Sequence, residues 1–147
     1  MVDFDGEVRT KNSGETMSLA GQVAENCRAP AVICLYGELG SGKTTFVQGF
    51  AKALRITSRL LSPTFVIVRR YQIPKKPLAL YHFDLYRTDS VKEIEDIGVA
   101  EILSDSHAYV LIEWADKLGG LMPKNRLEVH CSVSDEGAHV FSFKKFI

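Results

Sequence analysis

The chain has 147 residues, 46% of them hydrophobic, and its 18 Lys and Arg residues balance its 18 Asp and Glu residues. This size and composition predict one domain, 1–147, with an adequate core of its own, and they exclude a global electrostatic attraction to nucleic acid or to an anionic membrane. The three cysteines form no CxxC pair, and no apolar stretch approaches the length of a membrane span. We therefore expect reduced thiols, no membrane association and a cytoplasmic location.

The first third of the chain predicts a helix, a buried strand and a second helix. Residues 1–14 are polar and are expected to be loose. An apolar stripe predicts a helix over Thr16–Cys27. The continuous apolar run 31–36 is typical of a buried parallel strand, and Phe46, Phe50 and Leu54 recur at the i+4 spacing of an amphipathic helix.

The remainder of the chain alternates strand and helix signals. Ser90 and Glu93 form a capping box that opens a helix, which Gly98 interrupts. Apolar, β-branched runs predict an antiparallel hairpin from Phe65–Tyr71 and Leu78–Phe83, a buried strand Tyr109–Glu113, and closing strands Leu127–Val133 and Val140–Phe143. This order predicts the α/β class: a P-loop NTPase-like mixed sheet with an antiparallel hairpin, flanked by helices.

Residues 37–44 read GELGSGKT, a complete GxxxxGK[ST] phosphate-binding loop placed directly after the first predicted strand. Its glycines permit positive φ, so that successive N–H groups turn towards phosphate oxygens. Lys43 would reach the β- and γ-phosphates, and the Thr44 hydroxyl would ligate Mg²⁺. The loop predicts Mg-ATP or Mg-GTP, contacted by Glu38, Leu39, Gly40, Ser41, Gly42, Lys43, Thr44 and Thr45.

Four further residues extend this predicted site. Glu113 and Asp84 each end a strand and are candidate acids for magnesium or the attacking water; an exposed strand-end acid is the alternative. The hydroxyl of Thr64 suits magnesium or the γ-phosphate, unless it only caps a proline turn. Trp114 either covers the nucleotide or fills the core. His82 adjoins Asp84, and we expect it to serve packing.

Together these segments resemble the TsaE (YjeE) family, the bacterial ATPase of tRNA threonylcarbamoyladenosine synthesis. The resemblance covers roughly residues 14–133 and rests on the loop with SPTF, HFDLYR, EDIG and IEW at 62–65, 82–87, 95–98 and 112–114. It implies that the loop holds ATP, that Asp84 and Glu113 are the acids needed for hydrolysis together with Lys43, and that Trp114 lies close by. It also implies two partners, TsaB and TsaD, which transfer threonylcarbamoyl to the adenosine next to certain anticodons.

Other functions stay open at this stage. A small-molecule kinase would need an acceptor pocket and a lid, and a non-hydrolysing ATP-gated adaptor would share all the loop residues. A GTP switch would need an [NT]KxD motif, which the sequence lacks. The segment from Arg69 to Lys76 carries four positive charges and no negative one. It is either a solvated hairpin tip or a local contact for protein or tRNA.

Overall fold

The computed structural model describes residues 5–57 and 66–147, which contain seven β-strands, four α-helices and one 3₁₀ segment. No helix within these two ranges has the length and apolar character needed to cross a membrane. In chain order the elements are β1 (Glu7–Thr10), α1 (Ser13–Glu25), β2 (Ala31–Tyr36), α2 (Lys43–Ala53), β3 (Val68–Gln72), β4 (Ala79–Asp84), α3 (Val91–Asp96), α4 (Val99–Leu103), β5 (Ala108–Glu113), the 3₁₀ segment (Ala115–Leu121), β6 (Arg126–Val133) and β7 (His139–Phe146).

The strands form one mixed sheet in the order β1-β7-β6-β2-β5-β4-β3. Its four central strands, β6, β2, β5 and β4, are parallel, while β7, β1 and β3 pair in antiparallel fashion at the two sides. The predicted mixed α/β fold is confirmed. Because parallel strands end at a common edge, the residues that follow β2, β4 and β5 are brought together there.

Helices cover both faces of the sheet. One core lies under α1 and α2, where Phe46, Phe50 and Leu111 are fully buried. The second core lies under α3, α4 and the 3₁₀ segment and includes Phe83 and Ile112. Strand β5 is buried along its whole length because both of its faces are covered.

Most predicted elements are confirmed, with shifted boundaries. Helix α1 begins at Ser13 because the side chain of Asn12 accepts a hydrogen bond from the Glu15 N–H at 2.9 Å and caps the helix. Gly98, with φ of 84°, separates α3 from α4 as predicted. Strands β3 and β4 form the expected antiparallel hairpin, although the predicted start at Phe65 lies outside the described residues.

The expectation of a loose segment over 1–14 is wrong for residues 7–14. Strand β1 pairs with β7 in register from Glu7 opposite Ser142 to Thr10 opposite His139. The Thr10 and Thr16 hydroxyls, 2.6 Å apart, join the strand to α1. A four-residue strand is too short to show periodicity in the sequence. Its order depends on pairing with β7, about 130 residues later in the chain.

Helices α1 and α2 pack closely at Gly49, which yields a first prediction. A Cβ at position 49 would lie 2.5 Å from the Met17 carbonyl oxygen. Gly49→Ala should therefore lower the free energy of unfolding by about 1–3 kcal/mol, measured by urea denaturation, although alanine is the better helix former. Gly21→Ala is the matched control, because its Cβ would meet the Ala53 Cβ at an ordinary 3.7 Å. An equal increase in the free energy of unfolding of both variants would contradict the close packing of α1 and α2 at Gly49.

Candidate functional site

The loop between β2 and α2 is a tight backbone cradle. Gly37 and Gly42 have φ values of 145° and 107°, and Gly42 is the N-cap of α2. A Cβ at Gly37 would lie 2.4 Å from the Cys131 carbonyl oxygen, so only glycine fits there. The unpaired N–H groups at the start of α2 open towards the loop, an arrangement that attracts anions.

Lys43 lies folded over this cradle. Its Nζ donates to the carbonyl oxygens of Gly37 at 2.5 Å and Glu38 at 2.8 Å, and it lies 3.3 Å from the Ser41 hydroxyl. Burial lowers the pKa of Lys43, an effect that the nearby Glu113 carboxylate opposes. The lysine is thus a partly desolvated cation held by loop carbonyls, and phosphate oxygens would bind it more strongly.

Glu113 is buried at the end of β5, with 3% of its surface exposed, and both carboxylate oxygens have partners. The Thr44 hydroxyl donates to Oε1 at 2.9 Å, and His82 Nε2 lies 2.5 Å from Oε2. Asp84 stands directly opposite Glu113 in the β4–β5 register. The structure thus brings both predicted acids and the predicted magnesium-ligating hydroxyl to one edge of the sheet.

A cavity of about 670 Å³ adjoins these groups. Asp84 lies at its wall and accepts a hydrogen bond from the Tyr86 N–H at 3.1 Å. Glu38 and Ser41 do not line the cavity, and both instead contact Lys43 from within the loop. Thr64 lies outside the described residues. The lining includes these predicted site residues: Leu39, Gly40, Gly42, Lys43, Thr44, Thr45, Asp84, Glu113 and Trp114.

Trp114 lines the same cavity and also packs against the second core. Its backbone is left-handed, with φ of 59° and ψ of 44°, and this conformation turns the chain sharply after Glu113. Lys43 Nζ lies 4.4 Å from the centroid of the indole ring, and the Tyr86 ring centroid is 4.9 Å from that of Trp114. We expect Trp114 fluorescence to change when the loop lysine moves, because the two side chains are in contact.

Sequence reasoning missed two histidines of this site. His82, expected only to pack, hydrogen-bonds Glu113. His139 Nδ1 lies 2.9 Å from the carbonyl oxygen of Ser41 in the phosphate-binding loop. The position of His82 two residues before Asp84 on one strand was a usable signal, because alternate residues share a face. No spacing pointed to His139, which lies 98 residues beyond Ser41.

The sheet order, the glycine cradle before α2 and the strand-end acid define the class of P-loop α/β proteins. Comparison with known proteins is more specific. The family model described as "Threonylcarbamoyl adenosine biosynthesis protein TsaE" matches residues 10–140. The chain belongs to the TsaE family.

Individual relatives agree with this assignment. The chain is 40% identical over 121 residues to the tRNA threonylcarbamoyladenosine biosynthesis protein TsaE of Bacillus subtilis (strain 168), covering 82% of this chain and 73% of the relative. It is 36% identical over 140 residues to the protein of the same name from Nostoc sp., covering 93% and 84%. The crystal structure of Bacillus subtilis YdiB superposes with a TM-score of 0.80 at 31% identity, covering 96% of this chain and 85% of that one.

Proposed function

We propose that this protein binds and hydrolyses Mg-ATP in the formation of threonylcarbamoyladenosine in tRNA, together with TsaB- and TsaD-like partners. One observation carries the proposal. The Thr44 hydroxyl at the start of α2 is hydrogen-bonded at 2.9 Å to Glu113 at the end of β5, beside a glycine cradle that holds Lys43. The family names of the relatives supply the tRNA modification as the biological setting.

The residues present fit magnesium. Mg²⁺ prefers oxygen ligands and is usually held by one or two carboxylates together with substrate phosphates. Thr44 and one of the acids Glu113 and Asp84 supply that kind of donor set. The described residues contain no group of three His, Cys, Asp or Glu side chains that could enclose a metal ion by themselves. The bound metal ion would neutralise negative charge on the phosphates.

The protein's own groups have separable tasks in this proposal. The loop N–H groups and Lys43 bind and orient the phosphates, because they supply donors and positive charge. Glu113, held by two hydrogen bonds, orients water or the metal's water shell, and Asp84 stands beside it. The cavity wall formed by Trp114 excludes water from one side of Lys43.

The rim of the cavity supports a partner that completes the site. Leu39, Val66 and Tyr86 line the cavity and are 67%, 44% and 41% exposed, which is unusual for large apolar side chains grouped around one opening. A protein surface laid over them would bury this apolar area and close the site. We propose that TsaB- or TsaD-like subunits supply that surface and thereby raise turnover.

The turn of the basic hairpin does not adjoin this opening. Because β4 runs parallel to β5, its first residue, Ala79, lies at the opposite end of the sheet from Asp84. Lys75 and Lys76 in the hairpin turn therefore lie about 20 Å from the acids, at about 3.3 Å per residue along the strand. A protein or tRNA contact through this hairpin remains our proposal, and it would act at a distance from the cavity.

Lys43→Ala should weaken Mg-ATP binding about ten- to hundredfold, because one charge-assisted contact of roughly 1.5–3 kcal/mol is lost. Titration calorimetry measures the affinity, and the fluorescence of Trp114, the only tryptophan, provides an independent signal. Lys52→Ala is the matched control, since Lys52 is exposed in the last turn of the same helix. Unchanged affinity in Lys43→Ala would contradict nucleotide binding by this loop.

Asp84→Asn and Glu113→Gln should retain ATP but lose most turnover, because each removes a charge whose task lies in the transition state. Single-turnover hydrolysis in the presence of the partner subunits is the measurement. Asp116→Asn, an exposed acid that follows Trp114 by two residues, should hydrolyse ATP at the rate of the unaltered protein. Absence of hydrolysis in the unaltered protein would favour the ATP-gated adaptor, and full turnover in both variants would remove the two acids from the mechanism.

Hydrolysis should be slow for the protein alone and faster with TsaB- and TsaD-like subunits present. Replacing Lys75 and Lys76 by glutamate should reduce that stimulation and spare basal hydrolysis, because both lysines lie far from the acids. Lys52→Glu/Lys124→Glu makes the same charge change at exposed positions outside the hairpin. Equal loss of stimulation in both double variants would show a general charge effect, and no loss in either would exclude the hairpin as the contact.

A further inference from the structure

Two buried side-chain atoms lack a hydrogen-bond partner among the described residues: Arg69 Nε and His82 Nδ1. Their residues stand directly opposite each other in the β3–β4 register. Opposed residues of antiparallel strands project from the same face, with Cβ atoms about 4.5–5.5 Å apart. The two residues therefore lie side by side, each with one buried nitrogen that lacks a partner, and leaving either nitrogen unpaired is costly.

We propose that Arg69, a bridging water and His82 form a positioning chain that fixes the Glu113 carboxylate. The proposal rests on the ATP hydrolysis proposed above and adds to it the groups that orient its acid. The order of contacts is Arg69 Nε–H to water, water to His82 Nδ1, and His82 Nε2–H to Glu113 Oε2.

For an ionised Glu113 and a neutral His82, the hydrogen-bonding capacities of the three side chains set this direction. An ionised carboxylate only accepts, so the His82 nitrogen that lies 2.5 Å from Glu113 Oε2 carries the proton. In a neutral imidazole the other nitrogen, Nδ1, is then an acceptor. Arg69 Nε is only a donor, and one water molecule satisfies both atoms by accepting from Nε–H and donating to Nδ1.

The consequence for the site lies in the orientation of Glu113. Thr44 holds Oε1 and His82 holds Oε2, so the carboxylate is fixed at both oxygens. Without His82 one buried oxygen loses its partner, and the carboxylate is free to turn towards Lys43, the cation whose pKa it already influences. Such a turn would remove the acid from its proposed task while leaving the phosphate cradle intact.

The neighbouring arginine provides a matched control on the same strand. Arg70 projects from the opposite face of β3, where its Nη2 donates to Gln72 Oε1 at 3.1 Å and its guanidinium lies 6.0 Å from the Tyr81 ring centroid. Arg69→Leu and Arg70→Leu remove the same charge from adjacent positions. Only the first removes the donor that faces His82.

Kinetics of the full chain provide the first test. Replacing an outer partner of a site ligand typically costs 10–100-fold, so His82→Leu should lower kcat by that factor and Arg69→Leu by about tenfold. ATP affinity, followed by Trp114 fluorescence, should change less than about threefold. His82→Gln, which retains a donor near the Nε2 position, should recover most of the lost kcat, and Arg70→Leu, measured without partner subunits, should lower kcat less than Arg69→Leu does. Equal kcat values in Arg69→Leu and Arg70→Leu would overturn the chain.

Nitrogen-15 NMR of the imidazole rings provides a test that needs neither nucleotide nor turnover. His82 should show the Nε2–H tautomer, and its Nδ1 resonance should shift in Arg69→Leu but not in Arg70→Leu. A proton on Nδ1, or an Nδ1 resonance indifferent to Arg69, would refute the proposal even if ATP hydrolysis were established. Full turnover in Glu113→Gln would instead refute the proposed role of Glu113 in hydrolysis. In that case an Nε2–H tautomer of His82 with an Nδ1 resonance that shifts in Arg69→Leu would still establish the contacts between Arg69, water and His82.

Discussion

The register of three parallel strands is the constraint on which the site depends. Glu113 of β5 pairs with Leu35 of β2 on one side and with Asp84 of β4 on the other. The three strands therefore end together, and the phosphate-binding loop begins two residues beyond Leu35. A slip of β5 by one residue would reverse its alternation and move the Glu113 side chain to the opposite face, away from Thr44. Burial of β5 on both faces opposes that slip, because each face is matched to its own core.

The loop itself is supported from a distant part of the chain. The β6–β7 hairpin places the Cys131 carbonyl against Gly37 and the Phe141 ring against Gly42. His139 binds the Ser41 carbonyl oxygen, and because the peptide unit is planar and trans, this bond turns the Gly42 N–H to the opposite side. At Gly40, by contrast, a Cβ would meet nothing within 4 Å, so the requirement there is the positive φ of 81° alone. The glycines permit the conformation of the phosphate-binding loop, and contacts with the β6–β7 hairpin stabilise it.

Whether a feature depends on local sequence or on contacts between remote segments explains what could be predicted from the sequence. The loop, its helix, the strand ending in Glu113 and the β3–β4 hairpin are encoded by local periodicity, caps and turn residues, and the structure contains all of them. The pairing of β1 with β7 and the contact of His139 with Ser41 arise between segments remote in sequence, so no local pattern indicates them. His82 falls between these cases. Its face of β4 was predictable, but its bond to Glu113 depends on the parallel pairing of β4 with β5.

The basic hairpin combines two environments on one strand. Its turn carries Lys75 and Lys76 into solvent at the far end of the sheet, whereas Arg69 presents a buried nitrogen beside His82. Strand β3 is the last strand of the sheet formed by the described residues, and it pairs only with β4 there. A partner that displaces β3 would therefore move Arg69 relative to His82, together with Val66 and Ile67, which precede the strand and line the cavity. Because β4 carries both His82 and Asp84, such a displacement would affect the orientation of the acids before it affected the phosphate cradle, which β2, α2 and the β6–β7 hairpin hold independently.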